Sequence, residues 1–150
     1  MQRRTYLAGL GSAGLAGLAG CTTVGDVTGG LLGDSDEYHI GMTRNEFIPN
    51  EYEATVGETV VWKNTSGALH TVTAYEDSVP DGADYFCSGG FDSQDEAEAA
   101  WEENYGGAID VGETFEYTFE TPGSYPYYCI PHERDGRGGG WMMGLVRVTE

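Results

Sequence analysis

The sequence predicts an all-β domain, an antiparallel sandwich or barrel into which one short helix is inserted. Three observations carry this. From Tyr38 onward, short apolar alternations are separated by turn residues instead of recurring at helical spacing. Phe115, Tyr117 and Phe119 alternate with Glu and Thr, so one face of that stretch is aromatic and the other acidic. A single helix-spaced run, Ala97, Ala100, Trp101 and Tyr105, follows the capping-box pair Ser93 and Glu96.

Residues 1–20 open with Arg3 and Arg4, continue through an apolar, glycine-rich run and stop at Leu18-Ala19-Gly20-Cys21. That is the layout of a targeting segment, too short and too glycine-rich to span a bilayer, which takes about 20 predominantly apolar residues. Arg3-Arg4-Thr5-Tyr6-Leu7 resembles a twin-arginine export signal, and Leu18-Ala19-Gly20-Cys21 is similar to a lipobox, in which Cys21 becomes the lipidated first residue. Residues 21–37 are rich in Gly, Asp, Ser and Thr and show no strand or helix period, as a flexible tether does. The domain itself is expected over residues 38–150. Strands are predicted at 38–43, 52–56, 59–63, 70–75, 115–119, 125–129 and 141–148, at least seven in all, with turns at Gly57-Glu58, from Asn64 to Gly67 and at Thr121-Pro122-Gly123. Residues 79–110 form an insertion carrying the helix, an acidic lid that packs Trp101 onto the sheet.

Composition excludes several classes. The chain carries 7 Lys plus Arg against 25 Asp plus Glu, a formal charge of −18. Such a surface repels phosphate, so nucleic acid is not a partner. Removal of the first twenty residues takes two arginines with it and makes the balance more acidic still. Self-repulsion of this kind is relieved by molar salt, where the screening length shrinks to roughly 3 Å. With 39% hydrophobic and 12% aromatic residues, the main body has enough apolar surface for a core and is not a disordered acidic chain.

The chemistry concentrates in Tyr127-Tyr128-Cys129-Ile130-Pro131-His132, with Met142-Met143-Gly144 downstream and His70 far upstream. A thiolate and two imidazoles in a trigonal set, with a weak axial thioether, is the donor set of a blue copper electron-transfer site. The soft Cys129 sulfur favours copper over magnesium, calcium or manganese, and imidazole suits both copper oxidation states. Cys129 closes a strand and His132 lies just round the following turn, so one loop presents both, while His70 arrives from another strand. Competing readings are a Cys87–Cys129 disulfide, which would consume the thiolate, and a zinc site of two His and one Cys, which lacks a general base in the motif. Cys87 is otherwise a spare thiol. His39 has no partner motif and reads as structural. Tyr125, Tyr127 and Tyr128 read as packing beneath the site.

Phe47-Ile48-Pro49, the run from Val56 to Asn64, His70-Thr71-Val72, Pro122-Gly123-Ser124-Tyr125 and Tyr128-Cys129-Ile130-Pro131-His132 together resemble the recurring segments of the plastocyanin-like cupredoxins, above all the halocyanins, membrane-attached blue copper proteins of salt-loving archaea. The likeness covers residues 38–150. It implies an eight-stranded Greek-key sandwich with one type 1 copper near one end, ligated by His70, Cys129, His132 and a methionine. The family methionine is followed by one residue and then a glycine, which selects Met142. Adjacent strand residues face opposite ways, so Met142 and Met143 are alternatives and not joint ligands. Nine residues separate His132 from Met142, more than the family has, and three of them are consecutive glycines. That loop carries Arg134 and Arg137, which we read as a docking spot beside His132, the electron exit.

The implied function is that of a monomeric one-electron carrier, not an enzyme. It would shuttle between membrane complexes, a cytochrome-type donor and a terminal oxidase or reductase, while tethered by lipid to the outer face of the cytoplasmic membrane. A copper-delivery or storage protein, or an accessory dedicated to one oxidase or reductase, is the alternative.

Overall fold

The computed structural model describes residues 37–133 and 142–150. Eight strands form two sheets: β1 (Ile40–Met42), β2 (Phe47–Ile48), β3 (Glu51–Thr55), β4 (Thr59–Asn64), β5 (Thr73–Ala74), β6 (Thr114–Thr118), β7 (Gly123–Tyr128) and β8 (Met143–Thr149). The first sheet runs β2-β1-β4-β6 and the second β3-β8-β7-β5. Period-two burial marks the inner faces. Val60, Trp62 and Asn64 of β4 point inward, as do Gly144, Val146 and Val148 of β8, while the residues between them are more exposed.

Trp62 anchors the space between the sheets. It is fully buried, with the rings of Phe115 and Tyr127 at 5.5 Å and those of Phe86 and Phe119 at 6.3 and 6.4 Å. Aromatic pairs of this kind contribute about 0.5–1.5 kcal/mol each beyond the area they bury. The β3–β4 turn is tied by Glu58, whose carboxylate accepts from the Tyr52 hydroxyl (2.7 Å) and from the Thr55 amide (2.9 Å).

Three departures from the expected layout have physical reasons. The sheets are mixed, because β1 lies parallel to β4 and β3 parallel to β8, while the other pairings are antiparallel. Parallel neighbours are joined by long connections, so local alternation says nothing about them. β2 is two residues long, too short to show a period, yet it lets the chain leave the first sheet and enter the second as β3. The expected strand at 70–75 shortens to Thr73–Ala74. His70 instead forms an isolated bridge with Ile109, so the end of the insertion, not a neighbouring strand, takes up its backbone groups.

The inserted helix, α1 (Gln94–Asn104), starts where Ser93 Oγ accepts from the Glu96 amide at 3.1 Å. The box is not reciprocal: the Glu96 carboxylate accepts from the Asp92 amide, one residue earlier than the pattern requires. The helix ends at Tyr105 in the left-handed conformation. Ala97 and Trp101 pack with Cys87, Tyr128 and Ile130 into a second cluster. Gln94 Nε2 donates to the Tyr128 hydroxyl, that hydroxyl donates to Glu98, and the Tyr75 ring stacks on Tyr128 at 4.5 Å. Adjacent residues Tyr127 and Tyr128 are therefore both buried, the first between the sheets and the second under the lid. No helix among the described residues is long and apolar enough to cross a membrane.

Gly144 pairs with Tyr127 across β7 and β8, and a Cβ there would lie 2.3 Å from the tyrosine Cζ and hydroxyl oxygen. Gly144→Ala should destabilise the domain by about 1–3 kcal/mol through overpacking, read as a lowered midpoint in chemical denaturation.

Candidate metal centre

Four segments converge at one end of the sandwich. β7 ends at Tyr128, and Cys129 leads into a single helical turn, α2 (Ile130–Glu133), closed by the His132 amide donating to the Cys129 carbonyl at 3.2 Å. This turn brings the His132 ring back over the cysteine, with Nδ1 3.2 Å from Sγ. His70 reaches the same sulfur from the loop between β4 and β5, its Nδ1 at 3.6 Å, and the two imidazole centroids are 4.8 Å apart. The donor atoms of His70, Cys129 and His132 all lie within 4.8 Å of one another. His70 and Cys129 are fully buried and His132 is half-buried, so one imidazole edge reaches toward the surface.

Thr71 locks the two loops together. Its amide donates to Cys129 Sγ at 3.3 Å, and its hydroxyl accepts from the Ile130 amide at 2.9 Å and from the Thr73 hydroxyl at 3.1 Å. Met142 arrives just before β8, where its carbonyl accepts from the Cys129 amide at 3.0 Å. Met142 is fully buried; Met143 is 42% exposed and lines an open groove with Phe47, Ile48 and Pro49. The strand alternation thus puts Met142 on the inside and its neighbour outside.

Burial sets the protonation of the donors. Desolvation, together with the nearby His132, lowers the His70 pKa to about 4, so this imidazole is neutral and available as a donor at neutral pH. The Cys129 thiol is pushed up to about 12 by burial, against the opposing effect of the Thr71 and His132 hydrogen bonds. A cation is needed to hold it as thiolate.

Cys87 and Cys129 are both free. Cys87 belongs to the cluster under α1, whereas Cys129 belongs to the core between the sheets, so the sheet separates them. The Cys87 thiol donates to the Phe91 carbonyl, and burial raises its pKa. His39 is structural: its Nδ1 accepts from the Val61 amide at 3.0 Å and its ring lies against Tyr52. Cys21, Arg134 and Arg137 lie outside the described residues. Sequence reading missed Asn64, Ser66 and Thr71. Asn64 and Ser66 sat in a segment read only as a turn, although an Asn two residues before a Ser is the signature of a side chain closing its own loop.

The donor set suits copper. One soft sulfur and two imidazoles with a thioether-bearing residue beside them match the His₂Cys-plus-Met pattern. Fold and site together define a copper-binding β-sandwich of the cupredoxin type. Residues 36–149 match the model of copper binding proteins of the plastocyanin/azurin family, and the chain belongs to that family. Its cofactor is a single type 1 copper. It is 36% identical over 103 residues to the chloroplastic plastocyanin major isoform of Arabidopsis thaliana, covering 69% of this chain and 52% of that one. It is 33% identical over 119 residues to the plastocyanin of Vicia faba, covering 79% of this chain and 97% of that one. The chain spans about half the length of the chloroplastic plastocyanins of Arabidopsis and Hordeum vulgare that it matches. Among solved structures, a reduced mutant of amicyanin superposes with a TM-score of 0.52 at 19% identity, over 76% of this chain and 84% of that one, a likeness of fold.

Because the folded metal-free protein holds His70 neutral down to about pH 4 while the unfolded chain protonates it near 6.5, the unfolded state binds more protons between those values. Stability of the metal-free domain should therefore fall as pH drops from about 6.5 to about 4, by about 1–2 kcal/mol from this group once solvent screening is counted. Urea unfolding of wild type and His70→Gln at both ends of the window checks it: the variant should lose most of that slope.

Proposed function

We propose that this protein is a one-electron carrier of the halocyanin type, in which His70, Cys129 and His132 would hold copper and the thioether of Met142 would be a weaker fourth donor. The observation that carries the reading is the buried convergence of one thiol and two imidazoles from two loops, with a buried methionine hydrogen-bonded through its carbonyl to the cysteine. When bound, copper supplies a one-electron change between cupric and cuprous forms.

The chain's own residues do the rest. Thr71 and Met142 clamp Cys129 from two sides, so the donors need little rearrangement when charge changes. His70 and Cys129 exclude water, which a delivery or storage protein with an exchangeable site would admit. The half-buried His132 edge is the electron exit. The motif holds no nucleophile or general base free of the donor set, and the protein acts as a carrier rather than an enzyme.

The wider setting belongs to the same proposal. The twin-arginine and lipobox patterns direct export and lipid attachment at Cys21, placing the domain on the outer face of the cytoplasmic membrane. There it would move electrons between a cytochrome-type donor and a terminal oxidase or reductase. The excess of acidic residues suits a saline environment such as that of halophilic archaea.

Adding Cu(II) to the purified protein in high salt should produce an intense visible thiolate-to-copper band, and Cys129→Ser should abolish it. Uptake should also release about one proton per ion near pH 8, from the Cys129 thiol, measured in weakly buffered solution. Neutralising Arg134 and Arg137 together should slow transfer to the physiological partner several-fold while leaving the potential nearly unchanged, as stopped-flow kinetics and voltammetry would show.

A further inference from the structure

Behind His70, on the side away from the sulfur, lies a short chain of polar side chains whose hydrogen bonds favour one arrangement. Asn64 is fully buried at the end of β4. Its amide nitrogen faces two backbone carbonyls, Ala68 at 2.6 Å and Ile109 at 2.9 Å. Its amide oxygen faces the Ser66 amide and the Ser66 hydroxyl, both at 2.9 Å. Turning the amide over would set its oxygen against two carbonyls and its NH₂ against an N–H, so the orientation is determined by the backbone. All four hydrogen-bonding positions of this buried side chain are then used.

The consequence passes to Ser66. A hydroxyl has one proton to give, and the Asn64 oxygen at 2.9 Å takes it in preference to the Ala68 carbonyl at 3.4 Å. Its two lone pairs remain, one facing the Ala68 amide at 3.2 Å and the other His70 Nε2 at 2.7 Å. With its proton given to Asn64, Ser66 Oγ can only accept from the ring, so His70 Nε2 carries the hydrogen. The opposite tautomer would require Ser66 to turn its proton to the ring, stripping the buried Asn64 oxygen of a donor, and would aim an Nδ1–H at Cys129 Sγ.

We infer that Asn64 and Ser66 are positioning residues that set the tautomer of His70, holding Nε2 protonated and leaving the Nδ1 lone pair directed at the metal position. This rests on the copper reading for its purpose but not for its geometry, since every hydrogen bond of the relay is made by this chain's own atoms. Ser66 is half-buried and borders an open groove of about 520 Å³ lined also by Thr43, Arg44 and Gly67, so its side chain can be changed without cutting into the core.

The test reads the imidazole directly. In the ¹⁵N-labelled, reduced, metal-free protein near pH 7.5, two-bond proton–nitrogen correlations should show His70 as the Nε2–H tautomer. Ser66→Ala should give a mixture of tautomers and Ser66→Thr, which keeps the hydroxyl, should restore the wild-type pattern. Titration with Cu(II) against a competing chelator should show affinity lowered about ten- to a hundred-fold in Ser66→Ala and recovered in Ser66→Thr. An Nδ1–H tautomer in the wild type overturns the inference, whether or not a variant folds. So does a Ser66→Ala protein with wild-type tautomer and affinity. If wild type develops no visible band with Cu(II) while the tautomer pattern follows Ser66 as expected, it is the copper reading that fails and the relay that stands.

Discussion

The end of the molecule that matters is organised by one residue's backbone and side chain. Thr71 donates its amide proton to the Cys129 sulfur and accepts the Ile130 amide on its hydroxyl, joining two loops that are 58 residues apart in the chain. That junction adds to the bridge with Ile109 and to the Asn64 and Ser66 hydrogen bonds that also hold the β4–β5 loop carrying His70. The remaining segment is tied to the same cysteine, through the Cys129 amide and the Met142 carbonyl. Each loop is thus referenced to β7, whose ladder with β8 runs without interruption from Gly123 to Tyr128. A site built this way inherits the rigidity of the sheet beneath it.

The same strand explains the inserted helix. Residues next to one another in a strand face opposite ways, so a strand that sends Tyr127 and Cys129 into the core must send Tyr128 out. Tyr75 stacks on that tyrosine but leaves the rest of it to be covered. α1 covers it, engages its hydroxyl through Gln94 and Glu98, and adds Trp101 and Ala97 to a second small core. The helix is acidic along its length and mean hydropathy over it is low, so its stability comes from this docking and from its Ser93 cap more than from an apolar face of its own. The cover falls on the flank of the site, while the half-buried edge of His132 is left toward the surface.

Much of the architecture was legible from local pattern. Alternation located most of the strands, and the Ser93–Glu96 pair located the helix within a residue of its observed start. What local pattern missed was non-local or too short: the parallel pairings of β1 with β4 and β3 with β8, the two-residue β2, and the bridge that replaces a strand at His70. In the site, His70, Cys129 and His132 stood out because few side chains supply soft or imidazole donors. Asn64, Ser66 and Thr71 did not, because residues of those types are common in turns and strands, and nothing in their spacing reveals which lone pair they offer to whom.

By itself, then, the sequence determined the inventory: an all-β chain, strongly acidic, with one thiol and two imidazoles at family spacing and two adjacent methionines. Which methionine faces inward, which sulfur lies in the core and which under the lid, and which nitrogen of His70 looks toward Cys129 were decided only by the folded chain. The physical reason is that donor identity is a property of a residue. Donor direction belongs to its neighbours, and those neighbours come from β4, the β4–β5 loop, the end of the insertion and β7, segments that meet only once both sheets have closed.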